Sequence, residues 1–330
     1  MLDILLIIIV LAVLFDISNG WNDSANAIAT VVSTKVLTPL AAVTMAAVMN
    51  ILGAFLTTAV AKTIGKGIVD PAAVTEIVIM AALLSAFLWN TVMTLFGMPV
   101  SASHALVGGL IGAAAAHGGV GILNSEGITK IFTALIVSPF LGILLGFGFM
   151  KLILKTFGRM SPGKINKHFG KLQILSSAFM AFGHGSNDAQ KVMGIITMAL
   201  LSRGMISTLD VPVWVILTAA LAMGLGTFMG GWKVIKTIGI KMLKLQPIHG
   251  FAAETSATMI IIGASHYGLP VSTTHVISTA IMGVGATQRL SAVRWGIAGK
   301  IVMAWLLTLP ICIAMAWGFE KALTAYRIGG

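Results

Sequence analysis

Charge is what this 330-residue chain has least of. Only 9% of its residues are charged, and just ten are acidic; soluble domains carry about a quarter. Hydrophobic residues make up 57%, and the mean hydropathy is +0.99. This balance excludes a water-soluble domain and describes a chain built for a lipid bilayer. Cysteine occurs once, as Cys312, which excludes an internal disulfide. Enzyme signatures are missing too: there is no HExxH, no GxSxG and no paired cysteine. Basic residues outnumber acids, 21 to 10. They fall in short segments between apolar stretches, which points to membrane topology and excludes nucleic acid as the partner.

A membrane span needs about 20 mostly apolar residues. Long apolar stretches lie near residues 2–19, 37–61, 73–96, 131–150, 213–235 and 296–318. Shorter or broken ones lie near 22–34, 98–117, 172–183, 190–201, 251–266 and 270–286. Together they allow about ten to twelve passes or half-passes and leave no room for a soluble domain. The first stretch lacks a basic segment ahead of it and leads straight into a polar motif, so it reads as a retained helix. Residues 151–171 hold Lys151, Lys155, Arg159, Lys164, Lys167 and Lys171 without one acid. The positive-inside rule makes that segment a cytoplasmic linker. It separates a first half, 1–150, from a second, 172–330. Loops 118–130 and 202–212 carry little net charge and read as external.

What is present stands out against this background. Residues 20–27 read GWNDSANA, a polar patch where lipid-soluble chain is expected. Residues 185–191 read GSNDAQK and repeat it; Asp23 and Asp188 are 188 − 23 = 165 positions apart. Residues 98–114 read MPVSASHALVGGLIGAA, and residues 269–286 read LPVSTTHVISTAIMGVGA. Pro99 pairs with Pro270, Ser101 with Ser272, Ser103 with Thr274 and His104 with His275. KTIG occurs at 62–65 and again at 236–239. Landmarks matched in one order predict a duplicated chain. Gly/Pro-interrupted hydrophobic segments in corresponding halves mark the binding site of a transporter, near the midplane.

The chemistry follows from residue type. A polar residue in hydrocarbon is costly unless it faces a protein cavity, so an intramembrane Asp is a functional candidate. Carboxylate plus amide oxygens suit a small hard cation, with sodium one candidate and a proton another. Either Asp alone is also readable as the cap of a broken helix. The PVSASH and PVSTTH segments are too poor in helix formers to continue as helices; a re-entrant hairpin or broken helix fits, its backbone facing protein or water. Half-helix N-termini with Ser and Thr hydroxyls form an anion site suited to phosphate or sulfate. Close packing of small residues is the plainer reading. Lys191, three residues after Asp188, either neutralises it or reaches the anion. Glu254 is a further acid in an apolar run. Asp16 and Glu76 read as boundary residues, and the other histidines and the 19 methionines as packing. Ser272 and His275 can be written as nucleophile and base, yet their duplication suits binding better than catalysis.

These four segments together resemble the PiT family of inorganic phosphate transporters, also known as solute carrier family 20 or phosphate permeases. The resemblance runs from the first span to about residue 286. It implies an all-α membrane protein of twelve transmembrane segments, an inverted internal repeat and two re-entrant helical hairpins. It implies a transporter, not an enzyme, that takes up inorganic phosphate with a cation across the plasma or inner membrane. Sodium is the coupling ion expected, with proton coupling or sulfate transport as the alternative. No cofactor is expected, and a homodimer is. By motif, the cation set is Asn22, Asp23, Asn187, Asp188, Ser101, Ser272 and Glu254, with sodium at Asp23 and Asp188. The phosphate set is Asn26, Ser103, His104, Gln190, Lys191, Thr273, Thr274 and His275. One departure is Asn50, which stands where animal members carry Glu after the first signature. The short linker also lacks the large cytoplasmic loop of those members.

Overall fold

A computed structural model of the chain describes residues 4–69 and 73–329. It is all-helical, and among the described residues no β-strand forms; Val69 and Leu123 make one isolated antiparallel bridge. In chain order the helices are α1 (Ile4–Ser33), α2 (Pro39–Gly53), α3 (Ala59–Gly67), α4 (Glu76–Leu95), α5 (Ala102–Gly118) and α6 (Ser125–Phe157). There follow α7 (Pro162–Ser202), α8 (Val213–Met229), α9 (Trp232–Lys236), α10 (Pro247–His266), α11 (Thr273–Ala286) and α12 (Trp295–Gly329). A π-helical turn, Thr237–Lys241, continues α9. Four helices, α1, α4, α6 and α12, are long and apolar enough to cross a membrane. A fifth span results if α8 and the α9 segment count as one, bent by 61° after Gly230.

Three expectations about continuity change. The first span was expected to end in the polar patch, but α1 runs unbroken through it. Polar side chains compete with a helix only when they need its backbone; most of these find partners on other helices. The apolar run 37–61 was expected as one span and is split between α2 and α3. The break is stabilised by Gln190, whose Oε1 accepts the Val60 and Ala61 N–H groups at 2.8 and 3.2 Å. Those are first-turn donors with no intrahelical partner. The basic segment 151–171 is mostly helix, the end of α6 and the start of α7, with only residues 158–161 between them. Its six basic side chains are all exposed.

The two Pro-Val-Ser segments are interrupted as expected. α4 gives way at Gly97 (φ +71°) and α5 starts at Ala102; α10 gives way at Gly268 (φ +66°) and α11 starts at Thr273. The hydrogen bonds across the breaks are duplicated. Asn22 Nδ2 donates to Thr94 Oγ1 (2.7 Å) and Met98 O (3.2 Å), and its Oδ1 accepts Val100 N–H (3.4 Å). Asn187 does the same with Ser265 Oγ (3.0 Å), Leu269 O (3.2 Å) and Val271 N–H (3.4 Å). Each asparagine thus clamps the irregular chain of its own half.

The apolar core is in two parts. One gathers the N-terminal half of α1 with α3, α4, α5, α8 and the C-terminal half of α7. The other gathers the C-terminal half of α1 with α6, α10, α11 and the N-terminal half of α7. The polar middles of α1 and α7 therefore lie at the seam. Close crossings hold α7 against α2: a Cβ on Gly185 would sit 2.1 Å from the Asn50 carbonyl oxygen, and one on Gly53 1.9 Å from that of Phe182. Backbone atoms cannot give way as side-chain ends can. Gly185→Ala is expected to destabilise the protein by roughly 1–3 kcal/mol or more, read as a lower melting temperature of detergent-purified protein. A variant melting like wild type would show that the crossing is looser than this geometry.

Candidate functional site

The site grows from one helical stripe. Asp16, Asn19, Asp23, Asn26 and Thr30 recur at three- and four-residue intervals on α1, so they share a face. That face meets α7, which runs antiparallel. Thr34 Oγ1 donates to Gln173 Oε1 at 2.9 Å, and Ser177 Oγ donates to Ala27 O at 2.7 Å. Further along, His184 Nε2 lies 3.5 Å from Asp23 Oδ2, and Asn19 Nδ2 donates to Asp188 Oδ2 at 3.4 Å. The two helices thereby bring together the two aspartates that sequence placed in separate halves.

At the centre are Asp23, His184 and Asp188, all fully buried, with one ligand-type atom from each within 4.8 Å of the others. His184 was expected to be a packing residue; it stands between the carboxylates, its Nε2 also 3.7 Å from Asp188 Oδ2. Its tautomer follows from the network behind it. Thr227 Oγ1 donates to Met223 O (2.9 Å), so it accepts from Asn50 Nδ2 (2.7 Å). Asn50 Oδ1 therefore accepts from His184 Nδ1–H at 2.9 Å. Nε2 is thus the ring nitrogen that faces the aspartates. His184 Nε2, Asp188 Oδ1, Asn19 Oδ1 and Asn26 Oδ1 have no hydrogen-bond partner among the described residues. The ligand-type atoms of Asp23, His184 and Asp188 lie close enough together to hold a cation, and the unpartnered Asn19 and Asn26 oxygens belong to the same α1 stripe. The sequence signal for His184 was available: it precedes Asp188 by one helical turn.

The break before α11 supplies hydroxyls. Thr274 Oγ1 lies 2.9 Å from Asp23 Oδ1 and 3.0 Å from Val100 O. Thr273 Oγ1 lies 3.3 Å from Asp23 Oδ2 and 3.4 Å from Asp188 Oδ2. Each hydroxyl has one proton, so each serves one acceptor at a time. Asn26 Nδ2 donates to both threonines, at 3.4 and 3.1 Å. Lys191 Nζ lies 2.8 Å from Asp188 Oδ2.

Of the residues singled out from sequence, Asp23, Asp188, Asn26, Lys191, Thr273 and Thr274 meet at this centre. The others are used elsewhere. Asn22 and Asn187, expected as cation ligands, spend their amides on the two clamps. Ser101 and Ser272 cap α5 and α11, accepting the N–H groups of His104 (3.2 Å) and His275 (3.3 Å). Ser103 Oγ donates to Val271 O at 2.8 Å, tying one break to the other. Gln190 caps α3 and also donates to Ser186 O. His104 and His275 stack on each other (ring centroids 4.7 Å apart), and His275 stacks on Trp305 (3.9 Å). Both line an apolar cavity of about 830 Å³ with α6 and α12. Glu254 forms a separate buried cluster, accepting from Thr30, Ser176 and Gln173. Asp16, expected at a boundary, is fully buried. Glu76 is ion-paired with Arg203.

A helical membrane protein with duplicated helix breaks around buried polar side chains has the build of a carrier. The comparisons place it: a model of the phosphate transporter family matches residues 19–316, and the chain belongs to that family. A probable low-affinity inorganic phosphate transporter of Bacillus subtilis is 49% identical over 94% of this chain and 95% of its own length. One from Rhizobium meliloti is 46% identical, over 92% and 91%. A solved structure described as the sodium-dependent phosphate transporter superposes with a TM-score of 0.91 at 27% identity, covering 98% of this chain and 99% of that one. The protein is therefore a membrane transporter and not an enzyme.

The second layer behind His184 has a measurable consequence. Asn50→Leu removes the acceptor that fixes the Nδ1–H tautomer, and such outer partners are typically worth about 10–100-fold in affinity at a histidine-containing metal site. Phosphate uptake at limiting cation is expected to fall by that factor, while saturating cation restores most of it. Uptake unchanged at every cation concentration would show that His184 does not need Asn50.

Proposed function

We propose that the protein is a symporter that carries inorganic phosphate with sodium across the cell membrane. The observation that carries this reading is the buried cluster of ligand-type atoms from Asp23, His184 and Asp188, with the unpartnered Asn19 and Asn26 oxygens on the same α1 stripe. Oxygen-rich, carboxylate-containing sets suit hard cations, and a buried carboxylate pair is costly without a counter-charge. The sodium dependence in the description of the superposable structure supports the same ion.

Phosphate is assigned to the ends of the helix breaks: Thr273, Thr274, Ser103 and the opening turns of α5 and α11, with Asn26 and Lys191 beside them. Helix N-termini favour anions through free N–H groups and the positive dipole end. Coupling follows from single protons. While the threonine hydroxyls donate to aspartate they cannot donate to phosphate. Sodium at the carboxylates takes over that role, releases the hydroxyls and offsets the anion's charge, so each ligand binds poorly without the other.

The duplicated asparagine clamps support an inverted repeat of twelve segments with two re-entrant hairpins, one half rocking against the other around this centre. The exposed basic ends of α6 and α7 face the cytoplasm in this reading. Glu254 remains a candidate cation site of its own.

Purified protein in liposomes tests the assignment, with an imposed sodium gradient compared with an imposed proton gradient and sulfate as competitor. Sodium-driven uptake that sulfate does not inhibit is expected. Asp23→Asn is expected to fold normally yet to lower uptake by roughly two orders of magnitude, the equivalent of losing about 3 kcal/mol at a buried charge. Uptake driven by protons alone would turn the aspartates into proton carriers, and normal uptake by the variant would remove Asp23 from the site.

A further inference from the structure

One member of the α1 stripe has no role in this scheme. Asp16 is fully buried, and neither carboxylate oxygen has a hydrogen-bond partner among the described residues. An ionised carboxylate in such a place needs an opposite charge close by. The packing of α1 on α7 shows where it comes from. The helices run past each other in step: Thr34 meets Gln173, Asp23 meets His184 and Asn19 meets Asp188. Between the last two contacts, four residues back along α1 match four residues on along α7. Three more residues in each direction set Asp16 level with Lys191. The charges acting on Asp16 are those of Asp188, the larger and of like sign, and of Lys191, of opposite sign.

Lys191 is as buried as Asp16, and Asp188 is its ion-pair partner. Nζ is close to Asp188 Oδ2 but off hydrogen-bond alignment, with no other acceptor among the described residues. One ammonium is thus paired with Asp188 and, by the helix register, level with a second carboxylate that has no partner among the described residues. We propose that Asp16 is the second seat of the Lys191 ammonium. Lys191 is then a tethered cation that the transported cation displaces from Asp188, and Asp16 receives it.

This inference rests on Asp23 and Asp188 being the cation site. Its physical content is a competition. A cation arriving at Asp188 meets a lysine already there, and a lysine pushed into apolar surroundings would cost more than the cation gains. A vacant carboxylate one turn away removes that penalty. Lys191 can move between the two seats by side-chain rotation alone, because it lies three residues from Asp188 on its own helix and level with Asp16 on the other. Asp16 is therefore a positioning residue that sets the apparent cation affinity, not a ligand of cation or phosphate.

The test uses full-length protein in detergent, free of phosphate, as wild type, Asp16→Asn, Lys191→Gln and the double variant. The first readout is the sodium concentration giving half-maximal thermal stabilisation, with choline replacing sodium. Asp16→Asn is expected to raise it about tenfold or more, since the lysine has lost its second seat. The double variant is expected to return it to or below the wild-type value. An unchanged midpoint in Asp16→Asn, or a double variant no better than it, overturns the proposal. The second readout is the melting temperature without sodium. Lys191→Gln leaves three aspartates uncompensated and is expected to melt below wild type, and adding Asp16→Asn is expected to recover part of the loss. A purely packing role for Asp16 predicts additive losses instead and would overturn the pairing. If wild type shows no sodium-dependent stabilisation, the sodium assignment falls, and the second readout still decides whether Asp16 and Lys191 are charge partners.

Discussion

Two carboxylates buried side by side repel each other and lose their hydration, and the rest of this structure is arranged to make that tolerable. Asp23 and Asp188 come from opposite halves of the chain and meet only because α1 and α7 pack antiparallel with their polar stripes in step. Threonine hydroxyls, the Asn19 amide and the Lys191 ammonium are all directed at them. Glycine crossings between α2 and α7 allow Asn50 close enough to hold His184. The asparagines next to the aspartates do not share the load; they pin the helix breaks so that α11 starts where its threonines reach the carboxylates.

In the scheme proposed above, this arrangement gives coupling without a large lever. The compensating groups are few and each has limited capacity: one proton per hydroxyl, one charge per lysine. Among the described residues Lys191 pairs with Asp188 alone, and in the scheme proposed above imported cations meet the remaining charge. In that scheme the threonine hydroxyls released from the aspartates are those a tetrahedral oxyanion would recruit, which would link cation and anion occupancy through shared donors. The two apolar cores lie on either side of this centre.

Much of this was legible in the chain. A polar Asn-Asp motif inside an apolar run, found twice, marked the seam of the fold, because polar groups persist in hydrocarbon only when they face protein. The duplicated Pro-Val-Ser segments marked the helix breaks, because Pro and Gly cannot continue a helix without compensation. Individual roles were less legible. Asn22 and Asp23 are adjacent in sequence, yet on a helix they point about 100° apart, so one reaches a helix break and the other reaches α7. The same rotation separates Asn187 from Asp188. Asn19 and Asp16 gave no local signal stronger than many other residues, since their importance comes from what α7 sets opposite them. Gln190 looked like a ligand because it follows the motif, and it serves as a remote cap for α3.

The sequence alone determined that this is a membrane protein, that its chain is duplicated in motif, and that two aspartates and two broken helices form its candidate site. Those properties follow from composition and spacing, which act locally along the chain. Tertiary structure alone decided which side of each motif faces the centre, that a histidine stands between the aspartates, and that Lys191 pairs with Asp188. Those properties depend on the register of α1 against α7. That register is set by packing between residues well over a hundred positions apart, and no short stretch of sequence encodes it.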